Sequence, residues 1–144
     1  MKISTKGRYA TKLMLDLATY SNGSPVSLKD VAKRQDISEK YLEQIISTLS
    51  KAGMVRSVRG AQGGYFLTRE PKDYTVGDIL EATEGKIATV DCLRDDGMSC
   101  DAAGQCVTVR IWKKIDDAVK DVVNNITLQD LLEWQAEGAD QYVI

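Results

Sequence analysis

Three cysteines, Cys92, Cys100 and Cys106, fall in the single stretch VDCLRDDGMSCDAAGQC, which is rich in Asp and Gly. Thiolates are soft, anionic ligands, and three of them on a pliable backbone can converge on one metal centre. Burial as inert structural thiols is the competing use, but a segment this polar offers no apolar bed for three sulfurs. An iron-sulfur cluster is expected ahead of zinc. The C-x7-C-x5-C spacing does not separate the two metals, nor either of them from unligated redox thiols. Closed sites of both kinds usually take four protein ligands. The chain has no histidine, so a fourth donor would be an oxygen or an outside thiol.

A second constellation is RSVRGAQGGYFLTR, residues 56–69, where glycines and arginines alternate with strand-forming residues. Phosphate is the chemistry such a turn suggests. A nucleotide loop would need GK followed by Ser or Thr, or a G-x-G-x-x-G turn opening a helix, and this stretch has neither. The phosphate is therefore expected to belong to DNA. Gly60, Gly63 and Gly64 would let a hairpin tip turn tightly and approach the duplex, with Arg56 and Arg59 reaching phosphates or a minor groove. A glycine turn with solvated arginines is the plain alternative, and the elements just upstream weigh against it.

Those elements follow from periodicity. Residues 4–20 carry Tyr9, Ala10, Leu13, Met14, Leu17 and Ala18 at helical spacing, and SNGSP breaks the pattern. Ser27 with Asp30 opens a second helix, SLKDVAKRQ, ending near Asp36; Ser38 opens a third through Leu42, Ile45, Ile46 and Leu49, closed by Ala52 and Gly53. Two helices joined so closely spell a helix-turn-helix, and MVRSVRG and GYFLTR, separated by AQG, add a β-hairpin wing. The third helix should enter a major groove. Ser38, Glu39, Lys40, Tyr41, Glu43 and Gln44 face away from its apolar stripe: Gln44 suits adenine, Glu43 suits cytosine, and Ser38, Lys40 and Tyr41 suit phosphates. Tyr41 suits core packing equally well.

Beyond the wing, Thr75 with Asp78 caps a short helix, TVGDILEATEG, that leads into the cysteine segment. VTVRIWKKIDDAVKDVVNNI then sets Ile111, Ile115, Ala118, Val119, Val122 and Ile126 on one stripe, expected to pair with a second copy through residues 107–124. Packing against the chain's own first helix competes for the same stripe. Thr127 with Asp130 caps a last short helix, and the tail GADQYVI is expected to be loosely held. The reading is thus mainly α with a small β wing, an α+β winged helix-turn-helix with a long dimerisation helix. Residues 1–74 form the DNA-binding domain, 75–106 a linking helix and cysteine loop, and 107–144 the dimerisation and C-terminal helices.

Charge supports the division. Residues 1–74 hold 13 Lys and Arg against 7 Asp and Glu, and residues 75–144 hold 6 against 14, although the net charge is only -2. A basic half joined to an acidic half is expected when one part meets a polyanion. No secretory signal or membrane-length apolar run is visible, so a cytoplasmic protein is expected, and without histidine no catalytic constellation assembles.

With these residues in place, the chain resembles the bacterial winged-helix regulators of the iron-sulfur cluster regulator type, the Rrf2 family, which also includes nitric-oxide sensors and a cysteine-metabolism repressor. The resemblance rests on MKISTKGRYA, ISEKYLEQI, VRGAQGGY, VGDI and NNITLQDL, and spans most of the chain. It implies a homodimer on partly palindromic promoter DNA, with a [2Fe-2S] cluster on Cys92, Cys100 and Cys106. The histidine that some members place three residues after the last cysteine is here Val109. Other members take the fourth ligand from the partner's first helix, where this chain offers Ser4, Thr5, Tyr9, Thr11 or Asp16. The cysteine repressor lacks the cysteine triplet, and a modulating enzyme partner is what that branch would imply.

Overall fold

The computed structural model describes residues 2–93 and 106–142. Among the described residues are six α-helices and one two-stranded sheet: α1 Thr5–Tyr20, α2 Leu28–Gln35, α3 Glu39–Lys51, β1 Val55–Val58, β2 Gly64–Leu67, α4 Val76–Glu84, α5 Val109–Asn124 and α6 Leu128–Tyr142. Caps decide most boundaries. The hydroxyls of Ser4, Ser27 and Ser38 accept the N–H of Gly7, Asp30 and Tyr41, satisfying donors that each first turn leaves open. Asp36 stops α2 in the left-handed conformation at φ 53°. α3 ends in a Schellman motif, with Gly53 N–H on the Ser50 carbonyl and Met54 N–H on that of Leu49, both at 3.0 Å. Gly53 carries the positive φ of 73° that this turn demands.

The core joins Ala10, Leu13, Met14 and Leu17 of α1 to Leu42, Ile45 and Leu49 of α3, with Val31, Tyr74, Ile79 and Leu128 in the same cluster. Each such leucine or isoleucine contributes about 1.5–3 kcal/mol by leaving water. The strands pair antiparallel with Val55 opposite Leu67 and Arg56 opposite Phe66. A third rung comes from Val26, just before α2, whose N–H and C=O both bond Tyr65 at 3.0 and 2.8 Å. The connecting turn spans residues 59–63, wider than the three residues the sequence suggested, because the ladder stops at Val58 and Gly64.

Two buried polar groups brace this frame. Asp16 of α1, 1% exposed, accepts from Arg34 Nη2 at 2.7 Å, Arg34 Nε at 3.0 Å and Gln35 Nε2 at 3.0 Å, tying α1 to the end of α2. The bidentate bond from Asp16 holds the Arg34 guanidinium above its ordinary pKa. The Tyr74 hydroxyl accepts the N–H groups of Thr68 at 2.9 Å and Arg69 at 3.0 Å and donates to the Met54 carbonyl at 2.8 Å. Both ends of the hairpin are thereby held by one phenol.

Capping boxes start α4 and α6. Thr75 and Asp78 exchange bonds at 3.0 Å, and Thr127 and Asp130 do so at 2.9 and 3.1 Å. The two starts are clasped together, Val76 N–H on Ile126 C=O and Leu128 N–H on Tyr74 C=O, both 2.9 Å. The last helix runs to Tyr142, so the expected short helix and loose tail need correcting through that residue. The helix continues through Gly138, where the expected tail begins. No helix among the described residues is long and apolar enough to cross a membrane.

Candidate nucleic-acid interface

α3 buries Leu42, Ile45, Ile46 and Leu49 and leaves Glu39, Lys40, Glu43 and Gln44 exposed, which is the division a groove-reading helix requires. Ser38 is exposed at its start. Its hydroxyl oxygen accepts the Tyr41 N–H at 3.2 Å, leaving its own hydrogen available for an acceptor outside the protein. Tyr41 is half-buried, with its ring edge-on to Tyr9 of α1 at 5.8 Å between centroids. Of the two uses open to it, packing accounts for the ring. Tyr9 entered the sequence reading as part of an apolar stripe; its position against the recognition helix depends on a contact 32 residues apart in the chain, which local pattern does not carry.

The wing stands beside this helix. Arg56 is exposed on β1, its guanidinium 4.5 Å from the ring of its cross-strand partner Phe66, a stacking that limits where the charge can point. Arg59 and Gly60 are exposed at the turn, and Gly60 takes φ 114°, a conformation that glycine adopts without strain. Gly63 and Gly64 also serve the protein itself. A methyl on Gly63 would strike the Val58 carbonyl, and one on Gly64 the Val26 carbonyl. Both glycines serve approaches within the protein, closing the turn and admitting the third rung.

The cysteine segment begins at the far end of α4. Thr89 donates its N–H to Asp116 of α5 at 2.8 Å and its hydroxyl to the Trp112 carbonyl at 3.3 Å, pinning the residues that lead to Cys92 onto α5. Asp116 is only 3% exposed. Cys92 is half-buried in a short 3-10 turn over residues 91–93, and Cys106 is exposed just before α5. Its Sγ lies 3.0 Å from Thr108 Oγ1; that hydroxyl, joined by the Val109 N–H, holds the Cys106 thiol below its ordinary pKa. Such a thiol suits a metal that takes deprotonated sulfur, and equally a redox reaction.

Cys100 lies outside the described residues. No group of three or more His, Cys, Asp or Glu side chains placed to hold a metal occurs among the described residues. Of the oxygen donors on α1, Asp16 is fully engaged by Arg34 and Gln35, Ser4 caps the helix and also bonds Glu84, and the Thr11 hydroxyl donates to the Gly7 carbonyl. Thr5 Oγ1 accepts only a long bond from Arg8 Nη2 at 3.4 Å, and Tyr9 is engaged through its ring while its hydroxyl makes no hydrogen bond among the described residues.

α5 inverts the usual helix pattern. Asp116 is its buried residue, while Ile111, Ile115 and Val122 are 51%, 39% and 56% exposed.

Residues 3–134 match the family described as Rrf2, iron-dependent transcriptional regulator. The chain is 42% identical over 143 residues to the transcriptional regulator CymR of Bacillus subtilis, covering 99% of this chain and 98% of that one. It is 42% identical to IscR of Pectobacterium atrosepticum over 133 residues, 92% of this chain and 79% of that protein. Among solved structures, CymR, described as the global cysteine regulator of B. subtilis, superposes with a TM-score of 0.78 at 44% identity over 93% of this chain and 98% of that one. IscR of T. potens superposes at 0.76 and 44% identity, over 96% and 90%. These relatives are transcriptional regulators rather than enzymes. With a helix-turn-helix, an arginine wing and a match across nearly its whole length, the chain belongs to the Rrf2 family of transcriptional regulators.

Proposed function

We propose that the chain is a promoter-binding repressor that acts as a homodimer and takes its signal at the cysteine segment. The observation that carries this reading is the pinning of Thr89 to Asp116 and to the Trp112 carbonyl, which ties the segment holding Cys92 to the helix whose apolar stripe lies bare. A bare stripe of this kind on a two-fold axis buries itself against its own copy. A change at the thiols then reaches the spacing of two recognition helices, which must meet half-sites about one helical turn apart.

In this reading Cys92, Cys100 and Cys106 hold a [2Fe-2S] cluster, and the genes controlled are those of iron-sulfur cluster assembly. Such a cluster supplies a redox-active, acid-labile centre. The protein's own part is to present thiols already inclined to ionise, as at Cys106, and to anchor the loop that carries them. Without histidine the fourth donor is an oxygen, with Thr5 and Tyr9 of the partner's first helix the open choices, and weak ligation suits a sensor.

The likeness to CymR of B. subtilis favours a second reading, in which the same thiols answer to redox or nitric-oxide stress or bind zinc, or in which an enzyme partner modulates a cysteine-metabolism repressor. Protein purified without air separates the two. A brown protein with two iron atoms per chain, losing its absorption in each of Cys92→Ala, Cys100→Ala and Cys106→Ala and changing promoter affinity 5- to 150-fold on cluster removal, supports the first. Colourless, iron-free protein whose affinity responds to thiol oxidation or to zinc overturns it in favour of the second.

A further inference from the structure

The basic residues of α1 have no role in the interface built so far. Arg8 and Lys12 are exposed, lie one turn apart on the same side of α1, and have no acidic partner among the described residues. Both cations sit by one ring: Arg8 Cζ is 5.9 Å and Lys12 Nζ 5.7 Å from the centroid of Tyr9. That ring meets Tyr41 edge-on in the first turn of α3, next to Lys40 and the free hydroxyl hydrogen of Ser38. The face of α1 toward α4 is different, since Gly7 is buried there against Leu80 and Glu84. The two cations are thus gathered on the recognition-helix flank.

We infer that Arg8 and Lys12 form a second phosphate clamp, gripping the DNA backbone beside the groove that α3 enters. The inference rests on the DNA-binding reading and deepens it. The contact is to phosphate and not to bases: both side chains are long and unbraced by any carboxylate, and neither projects from α3 or the wing. It therefore positions the duplex without reading sequence. The acidic cysteine segment of a second copy is the other polyanion such a strip could meet; DNA is favoured because the cations share a ring contact with the recognition helix itself.

Because a phosphate clamp is indifferent to sequence, a mixed-sequence fluorescent duplex of about 30 base pairs is a sufficient probe for the full chain. Affinity is measured from about 50 to 200 mM salt for the wild type, for R8Q/K12Q and for the charge-keeping swap R8K/K12R. Each neutralised phosphate contributes about 0.9 to the log-log slope. The wild type should therefore lose roughly ten-fold more affinity across that range than R8Q/K12Q, for each protomer bound, while R8K/K12R keeps the wild-type slope. A slope unchanged in R8Q/K12Q but reduced in R59A overturns the clamp and leaves the DNA reading intact. An unchanged slope with a shifted monomer-dimer midpoint assigns the strip to a second copy. A flat slope in the wild type removes the DNA reading and the clamp with it.

Discussion

Removing one oxygen from Tyr74 isolates the contribution of a single hydroxyl to the wing. The side chain is 0% exposed, so Tyr74→Phe keeps the ring in its slot and deletes only the group that bonds Thr68 N–H, Arg69 N–H and Met54 C=O and touches the Thr68 hydroxyl at 3.1 Å. Not all of this is lost. The Met54 carbonyl retains the Thr68 N–H at 3.3 Å, and Thr68 and Arg69 are exposed residues whose freed groups can turn to water. Of the four contacts, about two remain uncompensated, at about 1 kcal/mol each, so the variant should lose about 2 kcal/mol. Urea unfolding should show a lower midpoint with an unchanged slope, and the melting temperature should fall by roughly 6 °C for a chain of this size. A stability within about 0.5 kcal/mol of wild type would refute the idea that this phenol holds the two strands to the core.

Asp16→Ala strands the Arg34 guanidinium, whose side chain is 29% exposed, so the loss should be about 2–4 kcal/mol rather than the full cost of a buried orphan charge, read by chemical denaturation. Gly64→Ala forces a methyl onto the Val26 carbonyl; it should cost about 1–3 kcal/mol, with faster amide exchange at Val26 and Tyr65. Ile115→Glu puts a charge on the bare stripe of α5 and should yield monomers by sedimentation at micromolar protein with the melting of the wing half unchanged; a persistent dimer would place the interface elsewhere. Arg59→Ala should weaken promoter binding by about 1–3 kcal/mol in a titration at fixed salt.

Local grammar was legible. Ser27, Ser38, Thr75 and Thr127 read as caps and are caps, because the hydroxyl and the turn it serves lie within four positions of one another, with an acidic third residue after all but Ser38. The α3 face was legible for the same reason, a 3.6-residue period being visible in one segment. What escaped is what needs distant partners. Asp16 carries no local sign that Arg34 will neutralise it, Tyr74 none that it will anchor a hairpin, and Gly64 none that its missing Cβ makes room for Val26. Asp116 too carries no local sign of its role, yet it is the residue that α5 buries, because Thr89 comes from across the cysteine segment to meet it. The tail from Gly138 onward, expected to be loose, is helical as far as Tyr142.

The clasp between Tyr74–Val76 and Ile126–Leu128 closes a circuit in the chain. The chain leaves this seam at Val76 and returns to it at Ile126, with α4 packed back onto α1 through Leu80 and Glu84 on the way. Lengthening such a circuit costs only about 0.6 kcal/mol per doubling of a flexible loop, and the seam need not move when the loop between α4 and α5 gains or loses residues. The cysteine segment can therefore be rewritten, respaced or fitted with different donors while the register of the wing and the seat of α3 stay as they are. One winged frame can carry cysteine segments of many lengths without being redesigned for any of them.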